Sequence, residues 1–270
     1  MKRLGYVLVT LFCTTHAYIK DVMVLQKEQQ TIIFLCDYHW DDKEIADAQE
    51  PFFRKFFSQL PTDALVHLET TPGPHNNKKI ATYTKNNKDE SCATIFHLQQ
   101  ALFAGKKHQY SFTTKSFEVR TKDDTKYGVQ IPYHMAFGKN KPSKETVKEV
   151  YKWIKDTIHK TNYMLKNPGF VRLFDKQDIK AVVKKLSQHL KPVKLPKQAQ
   201  DVYKISSVQV DITLLHHLLE SENKIQVVIG GRDHLRVVAE ILQEFKDYKK
   251  VYSEKGDNTS VWGQKLLTYI

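Results

Sequence analysis

The chain has 270 residues, of which 41% are hydrophobic and 27% charged. This balance is typical of globular proteins and excludes disordered, collagen-like and coiled-coil classes. The formal net charge is +12, and residues 139–204 carry 17 Lys or Arg against 6 Asp or Glu. A basic excess confined to one segment predicts a cationic face there, for which nucleic acid, anionic lipid or an acidic protein is a candidate partner, while a solvated pair of lysine-rich helices is the simpler interpretation.

The first 17 residues have the pattern of an export signal. Lys2 and Arg3 precede the apolar run from Leu4 to Phe12, and small residues stand before a cut after Ala17. We therefore expect an exported protein, periplasmic or secreted. The alternative is that YVLVTLFC forms a first buried strand, in which case the protein is cytoplasmic. No later run is apolar enough to span a bilayer, so no transmembrane segment is expected in the mature chain.

The next part of the chain predicts strands and one helix. Residues 18–25 and 31–36 are apolar strand candidates joined by a polar turn, which indicates a hairpin. Residues 41–60 place apolar side chains at helical spacing despite Pro51. ALVHLE at 64–69 predicts a third strand, and a polar loop follows it.

The second half of the chain alternates in the same way around a helical middle. QYSFTTKSFEV predicts a strand, and residues 127–137 a loop or short strand. Residues 143–165 and 175–190 have amphipathic helical patterns. Helices are then predicted at 208–219 and 235–245, a buried strand at 225–230 and a closing strand at KKVYSE.

This order predicts an α/β fold with a largely parallel sheet flanked by helices. We expect residues 18–138 and 205–270 to form the α/β core and residues 139–204 a basic helical insertion.

Polar residues that follow the predicted strands are candidates for a functional site, because ligands bind beyond the carboxyl ends of parallel strands. The four relevant segments are CDYH (36–39), HLE (67–69), EVR (118–120) and GRDH (231–234). They bring His39, Glu69, Glu118, Arg120 and His234 into consideration. Two His and two carboxylates are the donors of a divalent metal site or of a His-based hydrolytic site, and Arg120 and Arg232 add cationic donors.

These four segments together resemble the TraB/Tiki, ChaN and erythromycin-esterase-like superfamily, over about residues 30–255. The resemblance implies an α/β fold with a helical insertion. Members of that superfamily include metal-dependent peptidases, a His-based esterase and a haem-binding lipoprotein. Cys36 stands where the first motif usually has Gly. A nucleophilic role for this Cys is open, but a Cys that ends a buried strand is more often a core residue.

These observations predict a hydrolase of the metal-dependent peptidase or esterase type. His39, Glu69, Glu118, Arg120 and His234 are its candidate catalytic residues, acting on a peptide, ester or other small substrate. His39, Glu69 and His234 are candidate ligands for zinc or manganese, with haem as the alternative cofactor. Two other functions stay open, a binding protein without turnover and a protein that associates with nucleic acid or membranes through residues 139–204.

Overall fold

A computed structural model describes most of the chain after residue 16, namely residues 17–39, 43–69, 111–137, 142–191, 193–195, 197–256 and 259–270. The predicted export signal lies outside these residues, except for Ala17, which begins the first strand. The described residues form a mixed six-stranded sheet with helices on both faces. The predicted α/β fold with a largely parallel sheet is therefore confirmed.

The sheet has the strand order β4-β3-β5-β2-β1-β6. Strands β4, β3, β5 and β2 are parallel to one another, while β1 is antiparallel to both β2 and β6. Their bounds are β1 Ala17–Lys27, β2 Gln30–His39, β3 Leu65–Leu68, β4 Thr113–Ser116, β5 Ile225–Gly231 and β6 Lys249–Lys255. The four parallel strands thus present their carboxyl ends at one edge of the sheet.

Strands β1 and β2 form the predicted hairpin. Lys27 pairs with Gln30 across the turn, where Glu28 has a φ of 51°. This hairpin adds an antiparallel pair beside the parallel strands and allows β6 to pair with β1.

Amphipathic periodicity predicts five of the helices in the described residues, and four shorter ones, at 122–125, 131–137, 168–171 and 259–266, are additional. Their bounds are α1 Lys43–Gln59, α2 Lys122–Thr125, α3 Ile131–Phe137, α4 Lys144–Leu165, α5 Pro168–Val171, α6 Ile179–Ser187, α7 Tyr203–Glu220, α8 Arg232–Phe245 and α9 Thr259–Leu266. Short 3₁₀ turns cover Ala199–Asp201 and Leu267–Tyr269.

The loop or short strand predicted for residues 127–137 is wrong. The segment forms a π-helix at Lys126–Gln130 that continues into α3. Gly128 lies so close to Trp153 that an added Cβ would be 2.8 Å from that ring. Pro132 is the second residue of α3 and directly follows the π-helical turn. Packing against a residue distant in sequence therefore outweighs the local turn signal.

Apolar clusters cover both faces of the sheet. On one face, Ile33 and Val227 pack with phenylalanines of α1 and with Trp262 of α9. On the other, Phe34 and Val228 pack with α7 and α8 and with residues from the predicted basic insertion, namely Leu165, Phe170, Phe174, Val182 and Leu186. Helices within 139–204 thus share the core of the sheet, while the boundaries of the insertion stay a prediction. Among the described residues, no helix has the length and apolar character needed to cross a bilayer.

Candidate active site

The carboxyl ends of the parallel strands bring together acidic and basic side chains. Glu69 directly follows β3, Glu118 follows β4 by two residues, and Gly231 ends β5. Main-chain hydrogen bonds from Glu69 N to Ile229 O (3.0 Å) and from Phe117 N to Leu68 O (3.1 Å) extend the pairing to these positions. The sheet itself therefore fixes where Glu69 and Glu118 lie.

Arg120 links the two glutamates. Its Nε donates to both carboxylate oxygens of Glu118 at 2.9 Å, and its Nη2 donates to Glu69 Oε1 at 2.8 Å and also to Glu118 Oε2. The main-chain N–H of Arg120 donates to Glu118 Oε1 as well, at 2.7 Å. Burial lowers the pKa of Arg120, but its bonds to the carboxylates of Glu118 and Glu69 more than offset this and raise it. The guanidinium is therefore charged and held in one orientation.

The second oxygen of Glu69 is held by the main chain of β5. Glu69 Oε2 accepts a hydrogen bond from Gly231 N at 2.7 Å. This approach requires a residue without a side chain next to it, because a Cβ on Gly230 would lie 2.9 Å from Glu69 Oε2 and 2.8 Å from Phe117 Cζ. Both oxygens of the Glu69 carboxylate thus have fixed donors.

His234 lies in the first turn of α8 beside this network. Its Nδ1 is 2.6 Å from Asp211 Oδ1, and its Nε2 is 3.7 Å from Glu69 Oε1. Asp211 belongs to the middle of α7 and was not among the predicted site residues. In the sequence, Asp211 is a single carboxylate among mostly apolar residues, VQVDITLL. In the structure, almost all residues of this segment are buried. A buried carboxylate of this kind needs a hydrogen-bonding or charged partner, because burying an unpaired charge costs free energy.

The two carboxylates near His234 set its protonation. Burial lowers the pKa of His234, but the negative charges of Asp211 and Glu69 more than offset burial and raise the pKa to about 9. Burial raises the pKa of Asp211, and His234 opposes that rise. The pair is therefore an imidazolium bonded to a carboxylate at neutral pH.

The pair opens into a cleft of about 760 Å³. Its lining includes the charged residues Asp37, Glu69, Arg120, Asp211 and His234. The other side chains around it are those of Val129, His189, Tyr203, Lys204, Ser207, Arg232, Asp233, Arg236, Val237 and Glu240. A volume of this size accommodates a small organic molecule.

The structure brings four of the predicted site residues together and places others elsewhere or outside the described residues. It brings Glu69, Glu118, Arg120 and His234 into one hydrogen-bonded group or its immediate neighbourhood. His39 is the last residue of β2, but its side chain lies outside the described residues. Arg232 forms an ion pair with Asp21 of β1, in which its Nε is 2.7 Å from Asp21 Oδ2.

Cys36 is buried and forms no disulfide. Burial, together with the charges of Asp21 and Asp37, raises the pKa of its thiol well above the ordinary value. Because the thiolate is the nucleophile, this environment favours a packing role for Cys36. Cys92 lies outside the described residues.

The described donors do not by themselves form a metal site. Among the parts of the chain that the structure describes, no group of three or more His, Cys, Asp or Glu side chains is arranged to hold one. Arg120 and Gly231 N already donate to the two oxygens of Glu69. The set of His39, Glu69 and His234 stays a prediction, since it depends on the side chain of His39.

No protein-family model, curated protein or solved structure matches the chain. The superfamily resemblance of the four motifs therefore stays a prediction.

Proposed function

We propose that the protein is a hydrolase of esters or amides in which His234 is the proton-transfer group. The observation that carries the proposal is the bond between His234 Nδ1 and Asp211, which leaves Nε2 available to a molecule in the cleft. An imidazole oriented by a carboxylate is the usual arrangement for general acid and base catalysis.

The raised pKa indicates the direction of the first proton transfer. At neutral pH His234 is an imidazolium, so Nε2 donates its proton to the leaving oxygen or nitrogen as water attacks the carbonyl carbon. The neutral imidazole then accepts the proton that the added water loses, which restores the imidazolium. Asp211 stabilises the charged form and holds the ring orientation throughout.

Arg120 is suited to stabilise negative charge that develops on the substrate. Its guanidinium is fixed by Glu118 and Glu69, so it needs no reorientation during the reaction. Glu118 is a positioning residue in this scheme, since its bonds reach the substrate only through Arg120. Glu69 positions Arg120 and raises the pKa of His234.

A metal or haem cofactor is not required by this scheme. Proton transfer by His234 and charge stabilisation by Arg120 supply its steps. Elemental analysis and an absorption spectrum of the purified protein test this directly. Stoichiometric zinc or manganese, or a Soret band, would contradict the metal-free scheme.

The experiment for the proposal is hydrolysis of a panel of p-nitrophenyl esters and anilides by wild type and two variants. The first variant is Asp211→Asn, which keeps the side-chain shape. The second is the double variant Asp211→Asn/His234→Gln, which leaves no unpaired buried charge. We expect each to lose activity by about 100-fold or more. His159→Gln is the matched control, since His159 is exposed on α4. Turnover that survives both site variants, or is absent from wild type across the panel, would contradict the hydrolase.

A further inference from the structure

The outward face of α4 has no part in the cleft. The helix has 22 residues and buries one side through Val150, Trp153, Ile154, Thr157, Thr161 and Leu165. Because that side packs against the protein, the opposite side is held toward solvent in a fixed orientation.

Five exposed lysines share this outward side, and we call them the lysine face: Lys144, Lys148, Lys152, Lys155 and Lys166. At about 100° per residue, they fall within an arc of about 80°. With a rise of about 1.5 Å per residue, the row is about 33 Å long. The lysine face is therefore a straight, narrow row of positive charge.

Within the row, like charges are neighbours on the helix surface. Lys144, Lys148 and Lys152 are four residues apart, a spacing at which like charges repel. Lys144 is also the first residue of α4, at the positive end of the helix dipole. None of the five lysines forms an ion pair with a described residue, whereas Lys185 and Lys204 elsewhere do so. The charges of the lysine face are available to a partner.

The chemistry of the row favours a lipid surface over nucleic acid. It contains no Arg, the residue whose planar fork suits close recognition of single phosphates, whereas Lys is a hydrated point charge that suits attraction to a charged plane. Tyr163 borders the face with 71% of its surface exposed, and Tyr is enriched at membrane interfaces. Tyr151 borders the other side of the face, where its hydroxyl accepts a hydrogen bond from Leu195 N at 3.0 Å. We propose that the lysine face docks the protein on a membrane rich in anionic lipid headgroups.

Vesicle sedimentation tests the proposal with the full chain. We expect wild type to bind phosphatidylcholine vesicles that contain about one-third phosphatidylglycerol, and pure phosphatidylcholine vesicles far more weakly. At about 1 kcal/mol for each Lys near such a surface, Lys148→Glu/Lys152→Glu/Lys155→Glu should weaken binding by about 100-fold or more. Added salt should weaken wild-type binding as well.

The matched control changes three other exposed lysines to give the same net charge, as Lys176→Glu/Lys180→Glu/Lys184→Glu. It should keep most of the binding. Circular dichroism checks that both variants are folded, and the corresponding Lys→Gln triples replace any Glu triple that is not. Equal losses in the two triples would overturn the proposal. So would binding to a duplex oligonucleotide without binding to anionic vesicles, which would indicate nucleic acid as the partner.

Discussion

Asp211 Oδ1 lies 2.6 Å from His234 Nδ1, although 23 residues separate the two along the chain. Strand β5 runs between α7, which carries Asp211, and α8, which carries His234, so one crossover of the fold brings the acid and the imidazole together. Both side chains are about nine-tenths buried. In this environment each charge stabilises the other, which has consequences that can be measured.

The first prediction concerns the pKa of His234. In Asp211→Asn, we expect that pKa to fall from about 9 by at least about one unit, because the nearest negative charge is removed. NMR titration of the histidine Cε1–H resonances measures it. His159→Gln helps assign the spectrum and should leave the His234 titration unchanged.

Because of the pair of Asp211 and His234, we expect the protein to lose stability at alkaline pH. The folded pKa of His234 is above its unfolded value of about 6.5, so its contribution is complete below about pH 6.5 and is lost as the pH rises through about 9. Denaturant unfolding at several pH values should show this decrease in wild type and a smaller one in Asp211→Asn. Parallel curves for the two proteins would contradict the assigned protonation.

We expect a second histidine, His67, to cause a loss of stability at acidic pH. His67 is fully buried, and burial lowers its pKa to about 4, although the bond to Gln226 opposes the shift. The unfolded chain takes up this proton near pH 6.5, so stability present above that pH is lost as the pH falls toward 4. Relative to His67→Gln, wild type should lose about 1.4 kcal/mol per pH unit in this range.

Denaturant unfolding of both proteins between about pH 7 and pH 5 measures this difference. His217 lies beside His67, with ring centroids 6.1 Å apart, and burial likewise lowers its pKa to about 3. It should therefore maintain part of the acid sensitivity in the variant. A difference between wild type and His67→Gln that does not change with pH would contradict a neutral, buried His67.

Gly230→Ala tests the close approach of β5 to Glu69. The new methyl group would lie 2.8 Å from Phe117 Cζ and 2.9 Å from Glu69 Oε2, so we expect a cost of about 1–3 kcal/mol in the free energy of unfolding. Gly169→Ala is the control, because its Cβ would lie 3.0 Å from Asn167 Oδ1 and 3.6 Å from His216 Nε2, less close than at Gly230, and should cost less than about 1 kcal/mol. Similar costs at the two positions would show that the contact at Gly230 is not tight.

Trp153→Phe tests the link between α4 and the segment that carries Arg120. Asp124 accepts hydrogen bonds from Trp153 Nε1 at 2.9 Å and from Thr121 N at 2.6 Å. Loss of the indole donor leaves a buried carboxylate oxygen without that bond, at a cost of about 1.5–3 kcal/mol. In a double-mutant cycle with Asp124→Asn, additive free energies of unfolding would contradict the coupling.

Much of the fold could be predicted from the sequence because its signals are local. The hairpin of β1 and β2 has two apolar runs around a polar turn, and β5 has a continuous buried run. Alternation of such runs with amphipathic helices limits the topology to a largely parallel sheet. Glu69 follows the apolar strand β3, and Glu118 follows β4 within the predicted strand QYSFTTKSFEV, so their place at one edge of the sheet also follows from the sequence.

The tertiary structure alone decided the remaining features. Residues 127–137 contain Gly128 and Pro132, which locally favour a loop, yet packing against Trp153 makes them helical. Asp211 carries no motif in the chain, and its pairing with His234 exists only because α7 and α8 pack together. Local periodicity reports which side of an element is buried, whereas the identity of the partner depends on contacts between distant residues. The protonation of His234, on which the proposed chemistry depends, is a property of those contacts.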